Sequence, residues 1–386
     1  MVEQSDVAAQ PRMLVLARES RGLKQGDVAD AMKELEGHGS KVSQAYVSRA
    51  EAGRLTVSGD RLDLYARALE YPPELLVLRE AEVGAGPGLV HHRKKQAVAA
   101  PDLRRIHAVL NLTRIQLKGL LGDESRVVKF AIPRISVDDY TPPEEAAGMV
   151  RVEWGLPRGP LDSVLSVLED AGGLVLRRAL VAPVPLDSGN ESVPVDAISA
   201  CAAGEDPVVL LNSGTPGDRQ RFTLAHELGH MVMHSMPHPE QEKQANRFAA
   251  ELLMPAADIR DEFRGAVDLR LLLSLKQRWR VSMWALLRRA RTLGVISDWQ
   301  HRTLAVEMSS LGYRTTEPGP LDVEQPVAVR SLVDWHLSRG AGVDDLARLT
   351  RLTPDEFTRL YLEGTGTEES GVTESSAPSI TAEVAP

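Results

Sequence analysis

The residues best placed to do chemistry lie in the stretch 223–234, Thr-Leu-Ala-His-Glu-Leu-Gly-His-Met-Val-Met-His, whose centre, His226-Glu227-Leu228-Gly229-His230, has HExxH spacing. On a helix, residues four apart share a face, so His226 and His230 can offer imidazoles to one metal ion while Glu227 reaches a water beside it. Catalytic zinc takes three protein ligands and keeps one position open, so a third ligand is required. His234 lies one turn further on, roughly 6 Å along the axis, too far for a ligand bond of about 2 Å while the helix continues. It is read as supporting the ligands from behind. The next helical stretch, from near Pro239 to before Pro255, carries an apolar stripe of Ala245, Phe248, Ala249, Leu252 and Leu253. At about 100° per residue, Glu242 falls at the edge of that stripe with Asn246 one turn on, whereas Glu240 and Glu251 point away. Glu242 is therefore the predicted third ligand, and Asn246 is predicted to orient a ligand imidazole.

The elements that must hold these groups can be read around them. Thr215-Pro216-Gly217-Asp218 offers an N-cap, a proline for the first helical position and an acid for the third, so the histidine helix is predicted to begin near Pro216 and to stop at Pro237. Upstream, helices are predicted over 144–154 and 161–171, the second ended by Gly172-Gly173, with short strands over 174–177, 195–199 and 208–212. This mixture is α+β. The strand at 208–212, directly before the histidine helix, is either a core strand or an exposed edge along which an extended peptide can lie. Residues 268–293, with leucines at helical spacing, are read as completing the same core.

The segment 219–255, with Arg219-Gln-Arg-Phe-Thr-Leu-Ala-His-Glu-Leu-Gly-His230 and later Glu242-Lys-Gln-Ala-Asn-Arg-Phe-Ala-Ala-Glu-Leu-Leu-Met-Pro255, resembles the ImmA/IrrE family of zinc metalloendopeptidases. The resemblance implies a compact zincin-like (gluzincin) fold, Zn2+ held by His226, His230 and Glu242, and Glu227 as the catalytic base. It also implies a protein substrate, a helix-turn-helix repressor in the family's better-known members.

Residues 12–78 read as short helices punctuated by glycine: one ending at Gly22, one from about Gln25 to Met32, one from Gln44 to Ala52 ended by Gly53, and a fourth after Ser58. Arg18-Glu-Ser-Arg-Gly-Leu-Lys-Gln25, Val28-Ala29 and Ser43-Gln-Ala-Tyr-Val-Ser-Arg-Ala-Glu-Ala-Gly53 resemble the Cro/C1 (XRE) helix-turn-helix family. That resemblance sends the helix after the turn into the major groove of double-stranded DNA, at an operator. Gln25, Ser43, Gln44, Ala45, Tyr46 and Arg49 become the candidate DNA contacts, and Arg18 with Glu51 an internal ion pair. Gln pairs bidentately with adenine, Arg with guanine, and Ala touches a thymine methyl, while Gln25 at a helix start suits a phosphate. One departure is the stretch 33–42, whose Gly37 and Gly39 lengthen a turn that normally takes three or four residues. A small helical domain used for protein contacts is the other reading, supported by a net charge of only +1 over residues 11–79.

A chain of 386 residues with 43% hydrophobic content is long for one core. The fold class is read as multidomain: an all-α helix-turn-helix domain at 10–80, a basic linker and long helix at 81–143, an α+β metallopeptidase domain at 144–305, a small helical region at 306–363 and a disordered acidic tail at 364–386. The single cysteine, Cys201, excludes internal disulfides. No charged start precedes an apolar run and no stretch reaches eighteen apolar residues, so a cytoplasmic chain without a membrane span is expected. The net charge of −9 argues against a protein that coats nucleic acid, but residues 91–134 hold ten Lys/Arg against three Asp/Glu and 307–386 hold six against fourteen. The basic segment, headed by His91-His92-Arg93-Lys94-Lys95, is placed to add phosphate contacts beside the first module.

The function read from these features is a DNA-binding transcriptional regulator carrying a zinc endopeptidase that cuts a repressor, or a copy of itself, to relieve repression, with a homodimer compatible with the long helix. Two other classes fit the same segments: a non-proteolytic transcription factor whose zinc domain senses metal or ligand or dimerises, and an antitoxin-like partner of an adjacent toxin. Arg219, Arg221, His234, His238 and Tyr313 are candidates for stabilising a transition state, and spacing does not choose among them.

Overall fold

The computed structural model describes residues 7–79, 90–92, 99–122, 128–180, 195–201, 205–236 and 238–363. The predicted joint at 84–88, the Arg93-Lys94-Lys95 run, the stop at Pro237 and the tail from Gly364 lie outside them.

Glycine and proline punctuate the first helices. α1 (Pro11–Ser20) places a proline at its first position, where no N–H is needed, and closes before Gly22 at φ 71°. α2 (Gln25–Glu36), α3 (Gln44–Glu51), α4 (Asp60–Leu69) and α5 (Pro73–Leu76) follow. α2 runs one turn past the predicted Met32 to Gly37 at φ 86°, so the long turn is residues 37–43. Met13, Leu14, Val28, Met32, Val47 and Tyr65 close a core beneath these helices.

β1 (Val90–His92) precedes α6 (Ala100–Leu121), the spine of the molecule. α6 packs against α1 on one side and against the sheet and the C-terminal α16 (Val343–Thr350) on others. At Gly119 an added Cβ would sit 1.9 Å from the Leu349 carbonyl oxygen, so only glycine lets α6 and α16 cross here. The first module is also clamped by a side chain: Arg21 donates to both Glu356 oxygens at 2.7 and 2.6 Å and to the Leu69 and Glu70 carbonyls, with its guanidinium 4.1 Å from the Tyr71 ring. Glu356→Ala strands that largely buried cation, and a loss of about 1–3 kcal/mol is expected, read as a lowered melting temperature of the full chain.

Between the spine and the second core lies a four-stranded sheet of β1, β2 (Leu174–Arg178), β3 (Ala197–Ala200) and β4 (Val208–Asn212), in the order β1-β3-β4-β2. β3 is antiparallel to both neighbours, and β2 and β4 are parallel. Leu174, Leu176, Ile198 and Leu210 face the α6 side, whereas Val175, Ala197, Val209 and Leu211 face α7 (Pro143–Glu153), α8 (Val164–Asp170) and α9 (Gly217–Met233). Both faces are covered, which is why the strands are apolar without alternation. This corrects the edge-strand expectation for 208–212: β4 is hydrogen-bonded on both sides, to β3 and to β2, and cannot take up a peptide.

The second core is completed by α10 (Gln241–Leu253), α11 (Ala256–Ile259), α12 (Leu269–Trp279), α13 (Met283–Thr292) and α14 (Asp298–Ser310), around Phe248, Leu252, Trp279 and Leu286. α14 sends Leu304 and Met308 into this core, so a boundary at 305/306 falls inside a helix. α15 (Ala328–Ser338), α16, α17 (Pro354–Phe357) and a π-helical turn (Thr358–Glu363) then join the first cluster rather than forming a separate appendage. No described helix is long and apolar enough to cross a membrane.

Candidate functional site

α9 begins at Gly217 with Pro216 as its N-cap, within one residue of the expected start; Thr215 turns its hydroxyl toward the Asp196 carbonyl at 3.5 Å instead of capping. The first turns are held by the chain at Glu324. Gln220 exchanges two backbone hydrogen bonds with it, at 2.8 and 2.9 Å, and Arg221 pairs with its carboxylate while donating to Leu161 and Asp162 carbonyls. Arg221 is committed to this joint, and Arg219 to Asp196 at 3.1 Å.

One and a half turns on, the structure brings His226, His230 and Glu242 together. The two Nε2 atoms lie 3.0 Å apart, and the Glu242 oxygens lie 3.5 Å from His226 Nε2 and 3.3 Å from His230 Nε2. Donors about 2.1 Å from a tetrahedral ion lie about 3.4 Å from one another, so this set fits one small divalent cation. Among the described residues it is the one His/Cys/Asp/Glu group of this kind. Burial alone would raise the Glu242 carboxyl, but its hydrogen bonds and charge interactions with the two imidazoles override that and hold it far below the usual carboxylate range. His226, Glu227 and His230 are 0% exposed, whereas the Glu242 side chain is 36% exposed, so the site opens to solvent past Glu242.

Behind these three side chains runs a chain of hydrogen bonds. α9 stops at Met233, and His234, in extended conformation, places its Nδ1 2.9 Å from His230 Nδ1 and its Nε2 2.9 Å from Gln244 Oε1. An amide oxygen only accepts, so His234 carries its proton on Nε2 and accepts from His230 Nδ1–H, which leaves the His230 Nε2 lone pair facing Glu242. Asn246 does not orient an imidazole. Its amide donates to the Glu242 carbonyl at 2.7 Å, one turn back on its own helix, and Gln244 does the orienting instead. Ser199 of β3 donates to Glu227 Oε2, both groups being fully buried. Sequence reasoning passed over Ser199 and Gln244. A hydroxyl inside the apolar strand Ala197–Ala200 was a usable signal; Gln244, one polar residue among many on α10, gave none.

Gly229, between the two histidines, is where α9 and α10 meet. A Cβ there would stand 3.0–3.3 Å from three atoms of the buried Phe248, Cβ among them, so that Phe248 would have to give way by a few tenths of an ångström. Gly229→Ala is therefore expected to push α10 and Glu242 outward and to weaken metal binding about tenfold, despite the better helix propensity of alanine; titration with a competing chelator measures it.

Cys201 is partly buried, with Arg134 Nη2 3.3 Å from its sulfur; burial raises the thiol pKa against that cation, so a neutral thiol is favoured.

The candidate DNA contacts sit on a separate face. Ser43 caps α3 by accepting from Tyr46 N–H at 3.3 Å, and Ser43, Gln44, Ala45 and Arg49 are exposed while Tyr46 is half-buried. Gln25 is drawn inward: its amide donates to Glu51 at 2.9 Å, beside the Arg18–Glu51 pair at 2.6 and 3.0 Å.

Residues 187–291 match a peptidase family described as the IrrE N-terminal-like domain, and residues 14–76 match a helix-turn-helix family. No curated protein matches the chain significantly. The chain thus joins a helix-turn-helix domain of the XRE type to a metallopeptidase domain of the IrrE/ImmA-like family.

Proposed function

We propose that the protein is a DNA-binding regulator whose second domain is a zinc-dependent endopeptidase acting on a protein, a helix-turn-helix repressor or a second copy of the chain. The observation that carries this reading is the convergence of His226, His230 and Glu242 beside a buried carboxylate, Glu227. Zn2+ in that set would supply Lewis acidity, acidifying a water and polarising a peptide carbonyl. The rest falls to the chain. Ser199 fixes Glu227 through Oε2, so proton exchange belongs to Oε1, which takes a proton from the attacking water and returns it to the departing amine. Gln244 and His234 hold the His230 ring in the ligating tautomer.

β3 is the strand that touches Glu227, and its outer edge is the natural bed for an extended substrate running antiparallel. β1 lies on that edge now, with His91 opposite Ser199. In this reading the chain's own linker strand blocks the substrate position, and cleavage requires it to leave. α3 supplies the DNA contacts through Gln44, Ala45 and Arg49, flanked by Ser43 and Tyr46.

The test is to incubate the full chain, loaded with zinc, with a cell extract and to map new peptide N-termini by mass spectrometry. Zinc-dependent termini that vanish with a chelator support the reading; a chain that binds operator DNA but holds no stoichiometric metal and yields no such termini overturns it.

A further inference from the structure

α14 presents two unlike faces. Leu304 and Met308 enter the second core, and the helix packs against α13. On the other side Trp299 and Val306 stand 71% and 69% exposed, seven residues or about 10 Å apart along the axis. At about 100° per residue Trp299, Thr303, Val306 and Ser310 fall in one stripe about 60° wide, with Arg302 about 60° to one side of Trp299 and Glu307 about 80° to the other. Charge is uneven along this face. Arg291 and Arg302 both donate to Asp298 at the start of the helix, to its carboxylate at 2.6 Å and to its carbonyl at 3.2 Å. Burial, and then the cations of Arg291, Arg288 and Arg302 against the opposing pull of Asp298, hold the His301 imidazole below its ordinary pKa, so three guanidiniums gather around the N-terminal half. The C-terminal half carries Glu307, which, like Arg302, forms no ion pair among the described residues.

A face with apolar side chains along its middle, cations at one end and an acid at the other is complementary to itself when two copies meet antiparallel. A two-fold axis passing between Arg302 and Thr303 sets Trp299 of one copy over Val306 of the other and brings the small Thr303 side chains together at the centre. It also lays Arg302 of each copy on the same side as Glu307 of the other, about four residues or 6 Å apart along the axis, within reach of two long side chains. The basic end of each helix then meets the carbonyl end of its neighbour. We propose that this face is the contact between two copies of the chain, an antiparallel pairing of α14 about a two-fold axis. The long helix α6 offers no such seam, because Ile106, Leu110 and Leu117 are buried within the chain. One helix pair is smaller than the interface of a permanent dimer, so the pairing is reversible and depends on concentration. It gives the assembly two copies of α3, the number that a two-fold operator needs in the DNA-binding reading, but it stands on α14 alone and not on that reading.

The test is sedimentation equilibrium of the full chain over a concentration series reaching about 100 μM, which reveals dissociation constants up to that order. The parent is expected to show a reversible equilibrium between monomer and dimer. Arg302→Glu and Glu307→Arg each set like charges against one another across the axis and are expected to weaken the dimer about tenfold or more. Combining the two restores opposite charges and is expected to return the dimer to within about threefold of the parent, a recovery that damage to the fold cannot imitate. Trp299→Asp is expected to abolish dimerisation with the melting temperature unchanged, since that side chain leaves the core untouched. A parent that stays monomeric at about 100 μM, a dimer indifferent to Trp299→Asp, or a double substitution that fails to recover would each overturn the proposal. So would a monomeric parent whose operator affinity falls in Trp299→Asp, a result that assigns the face to DNA.

Discussion

Glu227→Gln is expected to leave the chain folded and its metal bound while peptide cleavage falls about 10²–10⁴-fold, the usual worth of a positioned general base. The substitution changes little but the proton chemistry. Glutamine is isosteric, its amide oxygen can still accept from Ser199, and the three donor groups at His226, His230 and Glu242 are untouched. What disappears is the capacity to take a proton and give it back. Elemental analysis and a cleavage assay on the same preparation separate the two properties. Stoichiometric zinc with cleavage within a few-fold of the parent would remove Glu227 from its assigned role. Ser199→Ala, which frees the carboxylate without neutralising it, is expected to cost only about tenfold, because it alters position rather than basicity.

The contrast between local and long-range features explains what could be read in advance. The histidine helix begins within a residue of its expected start because proline and glycine act on the backbone locally. Glu242 could be singled out because the angular position of a side chain on a helix depends only on its own sequence. Gln244 and Asn246 could not be sorted the same way. Which of them reaches a histidine depends on where α10 crosses α9, and that crossing is set by Gly229 against Phe248, a packing relation no helical wheel contains. The misplaced edge strand has a similar cause. The uninterrupted apolar run Val208–Leu211 was compatible with burial on both faces, but whether its two edges are paired depends on strands drawn from distant parts of the chain. Arg21 and Glu356, 335 residues apart, meet only because α6 folds the C-terminal helices back over α1, so a stabilising clamp left no trace in either local segment.

The second large effect expected concerns β1. Its register places Val90 opposite Ala200, His91 opposite Ser199 and His92 opposite Ile198, along the edge of the strand that touches Glu227. In an antiparallel ladder successive residues direct their N–H groups alternately toward and away from the partner strand, so either Val90 or His91 donates into the edge. The double substitution Val90→Pro, His91→Pro removes both donors and must weaken the pairing whichever it is. With a net contribution of about 0.5–1.5 kcal/mol per hydrogen bond, loss of that one donor corresponds to about twofold to tenfold greater access to the edge. The variant is therefore expected to cut an added peptide substrate about twofold to tenfold faster in kcat/KM, with zinc content and operator affinity unchanged. Unaltered cleavage would mean that β1 does not compete with substrate, and that the bed for the extended peptide lies elsewhere than on β3.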